Sequence, residues 1–225
     1  MSRIGFATYD KAFAVVYLIL GTSIAFTLTS LPFFAVLYLF SPEDMWLITA
    51  LTAITLFPSF SASFGVFTDF VTNHDHSILS GYFRHWARSL WRSTLIGFVT
   101  VACFTVLVVD FVYLWQTQTG ALFAPITLMG AAIVLTVGIG SLAVDKLAPS
   151  NSLIVLIKAT FYVTIRRFYI TAVSWLGMAL AAVVILTHPA IGLGALVAPA
   201  LFLFWSNTKY CLNATISKTK ATTVA

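Results

Sequence analysis

The sequence predicts an all-α polytopic membrane protein: six transmembrane helices in three hairpins, basic interfacial helices between the hairpins, and both termini cytoplasmic. Three observations carry that prediction. The 225 residues are 60% hydrophobic and only 8% charged, with a mean hydropathy of +0.99, whereas soluble domains carry about 25% charged residues. Uncharged apolar stretches long enough to span a bilayer recur along the chain, since about 20 helical residues cross the ~30 Å hydrocarbon core. The twelve Lys and Arg residues fall in alternate connections, as expected of segments retained in the cytoplasm.

The elements follow in order. No charge occurs between Lys11 and Glu43, so the first span takes residues 12 to about 40, with Pro32 as a kink or exit point. The second runs from about 45 to 67, the third from about 94 to 114 and the fourth from about 122 to 143. The fifth covers about 169 to 186. The sixth covers about 190 to 205, after a break at His188 and Pro189, because proline removes a backbone donor and biases the preceding residue away from helix.

This count gathers the basic residues on one side. Arg3 and Lys11 precede the first span; Arg84, Arg88 and Arg92 lie between the second and third; Lys146, Lys158, Arg166 and Arg167 lie between the fourth and fifth; Lys209, Lys218 and Lys220 follow the sixth. A five-span topology would move the C-terminal lysines to the opposite side. The first apolar run is too long for a signal-peptide core, so no cleaved leader is expected. Cys103 within a span and Cys211 on the cytoplasmic side predict no disulfide. Residues 1–225 read as a single helical transmembrane domain.

The connection "NHDHSILSGYFRHWARSLWRST" (73–94) is the richest in chemistry. On a helical wheel Ile78, Leu79, Tyr82, Phe83, Trp86 and Leu90 share one side and Arg84, His85, Arg88 and Arg92 the other. This pattern predicts an interfacial helix with aromatic rings at headgroup depth and arginines facing phosphates or a cytoplasmic partner. Tyr82, Phe83, Arg84, Trp86, Arg88 and Arg92 are therefore the candidate interfacial or partner-docking residues. Nucleic acid is not expected as a partner, since only three arginines are available and the rings are claimed by the bilayer or by neighbouring helices. His74, Asp75 and His76 are metal-type ligands, but a site needs three or four converging groups; Asp75 or Ser77 is better read as a helix cap. No metal, cofactor or catalytic residue is predicted: the sequence holds no GxSxG, HExxH, P-loop or CxxC framework.

Two further features stand out. "LFPSFSASFGVFTDF" (56–70) places Pro58, Ser61 and Gly65 in the second span, where small residues let helices approach closely and serines can satisfy backbone groups freed by proline. Helix packing or a kink is the expected role, a cavity-lining broken helix the functional alternative. Asp110 is the one acidic residue inside a predicted span. Such a carboxylate suggests an ion, proton or substrate role, or else lies close enough to the outer interface to be wetted or bonded by Tyr113. Sliding the chain by about 75 residues aligns Ser77, Ile78, Leu79, Trp86, Leu90 and Arg92 with Ser152, Leu153, Ile154, Phe161, Ile165 and Arg167. That suggests an internal repeat, although interfacial helices draw on few residue types and would give a similar match.

The run "FPSFSASFGVF" followed by "GYFRHWARSLWRS", with Tyr82, Phe83, Arg84, Trp86 and Arg88, and the "LTSLPFF" end of the first span resemble the YesL-like family of small bacterial membrane proteins of unknown molecular function. Phe57 stands where that family tends to have glycine, and serines replace its Ala-Thr-Ala. The resemblance implies a plasma-membrane protein that supports carbohydrate uptake without enzymatic activity. Its implied partners are the lipid bilayer and a sugar ABC transporter or another membrane protein. A small transporter or substrate-capturing component stays open as the second reading, and an integral membrane enzyme as a remote third.

The topology is directly testable. A reporter cysteine beside Lys220 is expected to resist an impermeant thiol reagent in intact cells and to react after permeabilisation; labelling in intact cells would overturn the six-span arrangement.

Overall fold

The computed structural model describes residues 6–40, 45–73, 77–117, 120–149, 152–166 and 168–224. Among these residues every regular element is helical. Helices α1 (Phe6–Thr29) and α2 (Leu31–Leu39) are followed by α3 (Trp46–Ala53) and α4 (Leu56–Thr68), which ends in a π-helical turn, Asp69–Asn73. Then come α5 (Ile78–Trp115), a 3-10 turn at Gly120–Leu122, α6 (Ala124–Leu147), α7 (Leu153–Arg166) and α8 (Phe168–Thr187). The short α9 (Pro189–Ile191) leads through a second π-helical turn, Gly192–Leu196, into α10 (Val197–Val224).

Five helical stretches are long and apolar enough to cross a membrane: Trp46–Thr72, Ile78–Trp115, Ala124–Leu147, Phe168–Thr187 and Pro189–Ala214. The α1–α2 pair makes a sixth only if its two parts count as one span, because they are bent by 68°. Prolines set the breaks. Pro32 follows Ser30, the residue that caps α2 by position. Pro58 cannot donate to the carbonyl of Ile54, and its ring crowds that carbonyl; the second span accordingly divides at residues 54–55, where Phe57 N–H bonds Ile54 O at 3.2 Å instead. His188, ahead of Pro189, takes a non-helical conformation (φ −138°, ψ 75°).

The two basic segments differ in form. The segment from Ile78 to Arg92 is not a separate helix but the first part of α5, which continues unbroken into the third span. The second basic segment does form a discrete helix, α7, which buries Leu156, Thr160, Val163 and Thr164 along one stripe. The two helices begin 75 residues apart, at Ile78 and Leu153, and buried Gly81 and Ser89 match buried Leu156 and Thr164 in that register. The correspondence ends at Arg166, where α7 stops.

Helix α4 occupies the centre. Every residue from Phe57 to Phe67 is buried. Its phenylalanines fill the core: Phe60 tilts against Phe26 (ring centroids 5.4 Å), Phe64 stacks on Phe204 (6.1 Å) and Phe67 packs on Trp205 (6.2 Å). Between them Ser59, Ser61, Ala62, Ser63 and Gly65 let neighbouring helices approach closely, as membrane helices require. Pro58, Ser61 and Gly65 are all buried within this helix.

Polar side chains serve the irregular backbone. Helix α1 spans the second π-helical turn: Ser23 Oγ accepts from Ala198 N–H at 3.2 Å, and Thr27 Oγ1 donates to Leu193 O at 3.3 Å. In hydrocarbon no water stands ready to replace such bonds. Ser23→Ala would leave the buried Ala198 N–H without its acceptor. We expect it to lower stability by about 1–3 kcal/mol, read as a lower melting temperature in detergent, while exposed Ser80→Ala shifts it by less than about 0.5 kcal/mol.

Candidate functional site: a charged junction where α4, α5 and α6 meet

Three polar layers run along α5, two of them at its contact with α4. The innermost joins Thr29, Ser59 and Tyr82: Thr29 Oγ1 lies 2.8 Å from both Ser59 Oγ and Tyr82 Oη. Tyr82 is fully buried, at 0% exposure, and its phenol reaches this cluster because Ile78 packs against Gly21 of α1, where a Cβ would come 3.2 Å from the isoleucine side chain.

The second layer is an acid between two bases. Asp69, at the end of α4, places Oδ2 2.7 Å from His85 Nε2 and 3.6 Å from Arg84 Nη2. The His85 ring lies directly on the backbone of Gly65, where an added Cβ would sit 2.6 Å from the ring. Gly65 is therefore needed for space, so that the imidazole can lie flat over α4 and reach the carboxylate one turn on. The third layer joins α5 to α6: Arg92 Nη2 lies 3.2 Å from Asp145 Oδ1, and both groups are mostly withdrawn from solvent. Beside this junction Trp205 Nε1 donates to Thr68 Oγ1 at 3.2 Å, and Lys209 Nζ sits 5.0 Å above the Trp205 ring.

The predicted docking residues divide. Phe83, Arg84 and Arg88 are exposed, whereas Tyr82 is buried and Arg92 is engaged with Asp145. Trp86 is half-buried, with its indole N–H enclosed and meeting no acceptor among the described residues. The apolar side of the wheel splits: Ile78 and Tyr82 are buried, Trp86 and Leu90 half-buried, and Leu79 and Phe83 exposed. In a bilayer, lipid accepts apolar side chains as readily as protein does, and small or hydrogen-bonding residues make the contact. The buried stripe of α5 is Ile78, Gly81, Tyr82, Ser89, Ser93, Ile96, Gly97 and Thr100. Leu79, Phe83 and Trp91 face outward.

Sequence reasoning missed Asp69, Asp145 and the inward His85. A signal was present: each acid closes an apolar span on the side that carries the basic residues, which is where a counter-charge can be held. His74, Asp75 and His76 lie outside the described residues; Ser77 sits at the cap position of α5 without a side-chain cap bond. Among the described residues no three His, Cys, Asp or Glu side chains converge to hold a metal ion. Both cysteines are free thiols, Cys103 exposed and Cys211 buried.

Asp110 is exposed on α5 and lines none of the described cavities, and Tyr113 is exposed as well. The larger recesses are walled by residues such as Phe33, Phe60, Phe104 and Met178. One small polar cavity of about 20 Å³ lies among Thr136, Thr160, Thr164, Ser174, Asn207 and Thr208 of α6, α7, α8 and α10. It has room for a single water molecule.

Fold and junction together define a helical, multi-pass membrane protein with internally paired charges at one end. Residues 22–111 match the model of a family described as "Protein of unknown function, DUF624", a stretch that contains the hydroxyl layer, the Asp69–His85 pair and Arg92. No curated protein and no solved structure matches the chain.

The division of the arginines has a measurable consequence. Arg92→Gln removes the partner of the largely buried Asp145 and is expected to cost about 1–2 kcal/mol, between the values for exposed and buried pairs. Arg88→Gln should stay within about 0.5 kcal/mol. Thermal unfolding of the two purified variants distinguishes them, and equal losses would refute the assignment.

Proposed function

We propose that this protein is a non-enzymatic accessory component of the plasma membrane, with both termini cytoplasmic, that assists another membrane protein. The YesL-like resemblance makes carbohydrate uptake the setting and a sugar ABC transporter the partner. The observation that supports this reading most directly is the outward rim of α5, where Phe83, Arg84, Arg88 and Trp91 are exposed beside the Asp69 and Asp145 ion pairs. Aromatic rings and arginines presented together suit protein contact, since these residue types are enriched in interface cores.

The rival reading, a small transporter, wants a polar chamber within the spans. Asp110 borders no described cavity, and the cavity richest in hydroxyl side chains, among Thr136, Thr160, Thr164, Ser174 and Thr208, holds about a water's volume.

A photo-crosslinking amino acid at Phe83 in native membranes tests the proposal. We expect a covalent adduct with a component of a sugar-uptake system and none when the same group replaces Asp110. Sugar uptake by liposomes containing only the purified protein would instead establish the transporter reading.

A further inference from the structure

The junction has more positive than negative charge, and the surplus is local. Asp69 is engaged by His85 and Arg84, and Asp145 by Arg92. Arg88 and Lys146 have no ion-pair partner among the described residues, yet Lys146 is close enough to interact with Arg88 and Arg92 as well as with Asp145 and Asp69. Arg88 lies one helical turn before Arg92 on α5, and Lys146 follows Asp145 at the end of α6. The Arg92–Asp145 contact at 3.2 Å therefore brings the two surplus cations to the same edge of the α5–α6 seam. Two carboxylates, Asp69 and Asp145, stand here against the four cations Arg84, Arg88, Arg92 and Lys146, so a further anion beside Arg88 and Lys146 is electrostatically favoured.

The depth of this edge can be read from α5. Trp91 is 76% exposed and lies between Arg88 and Arg92; Trp115 is 64% exposed and lies 24 residues further on. That separation is about 36 Å along the helix, enough to cross ~30 Å of hydrocarbon with one indole in each interfacial zone, where tryptophan is enriched. Arg88 and Lys146 consequently stand at the level of lipid phosphates. A guanidinium fits a phosphate through two parallel hydrogen bonds, and an ammonium adds a point charge.

We propose that Arg88 and Lys146, flanked by Arg92, form a binding site for a phosphate anion, supplied by the headgroup of an anionic phospholipid. The site does not depend on a transporter partner, because its elements are α5, α6 and the bilayer. A phosphomonoester such as phosphatidic acid, with about −1.5 to −2 charge at neutral pH in the manner of other phosphomonoesters, would match two surplus cations better than a diester would.

Native mass spectrometry of the full-length protein in detergent, titrated with phosphatidic acid, phosphatidylglycerol or phosphatidylcholine, reads lipid occupancy directly. Wild type is expected to retain phosphatidic acid most tightly and phosphatidylcholine least. Arg88→Gln combined with Lys146→Gln should weaken retention of the anionic lipids by about 10- to 30-fold. Lys158→Gln combined with Arg166→Gln, an equal loss of charge on α7, should leave it unchanged. Arg88→Gln alone, at an exposed position, supplies a folded variant with a partial loss should the double variant unfold. Equal retention by wild type and both Arg88 variants would overturn the site. Inorganic phosphate at millimolar concentration displacing the lipid completely would overturn the lipid as its source.

Discussion

The arrangement depends on one constraint: α4 has no lipid-facing side. A transmembrane helix buried from Phe57 to Phe67 must be thin enough for its neighbours to approach from every direction and still fill the space between them. Alternating phenylalanine with serine, alanine and glycine meets both demands. Small residues admit α1, α5, α6 and α10, and the rings occupy the gaps they leave. Both ends of this helix then need internal partners. At one end Pro58 loosens the backbone at residues 54–55; at the other Asp69 would be a solitary carboxylate without His85 and Arg84.

The charged layers follow from the same crowding. Once Gly65 lets the His85 ring settle on α4, α5 is fixed in rotation about its own axis, which turns Tyr82 inward to the hydroxyls of Thr29 and Ser59 and leaves Phe83 and Arg88 outward. Arg92, two turns along from Arg84, is carried round to α6 and meets Asp145. Thus Phe83, Arg88 and Trp91 of the proposed contact rim stay outward on α5, and Arg88 reaches the proposed phosphate edge together with Lys146 of α6.

Much of this was legible in the sequence, and the failures share a physical cause. Apolar stretch lengths and the prolines at 32, 58 and 189 gave the spans and their breaks because those signals are local. The 68° bend at residue 30 exceeded the simple kink that Pro32 suggested, so the first span is less secure than the others. A hydropathy wheel does not by itself locate the inward face of α5, because lipid accepts apolar side chains as protein does; Ser89, Ser93 and Gly97 mark the contact and Trp91 the outside. Asp69 with His85 and Arg92 with Asp145 are tertiary encounters, and nothing in their spacing announces them until the helices are placed. Asp110 drew notice as a charge within a span, yet its exposed position near Trp115 leaves it without a described cavity to serve.

The contacts of α1 carry a consequence for the order of synthesis. Ser23 and Thr27 reach Ala198 and Leu193, and Tyr38 of α2 donates its hydroxyl to Ile185 O at 2.6 Å. Helices α1 and α2 therefore find these partners only after α8 and the residues up to Ala198 have been made and have entered the membrane. Until then the hydroxyls of α1 and α2 must rest on their own backbone, on lipid headgroups or on an insertion factor, and the emerging chain holds an unfinished bundle around α4. Long-range closure of this kind slows assembly and lengthens the exposure of incomplete intermediates. A chain cut short before α9 would lack the partners of both Ser23 and Thr27, whereas one cut just before α10 would lack only that of Ser23.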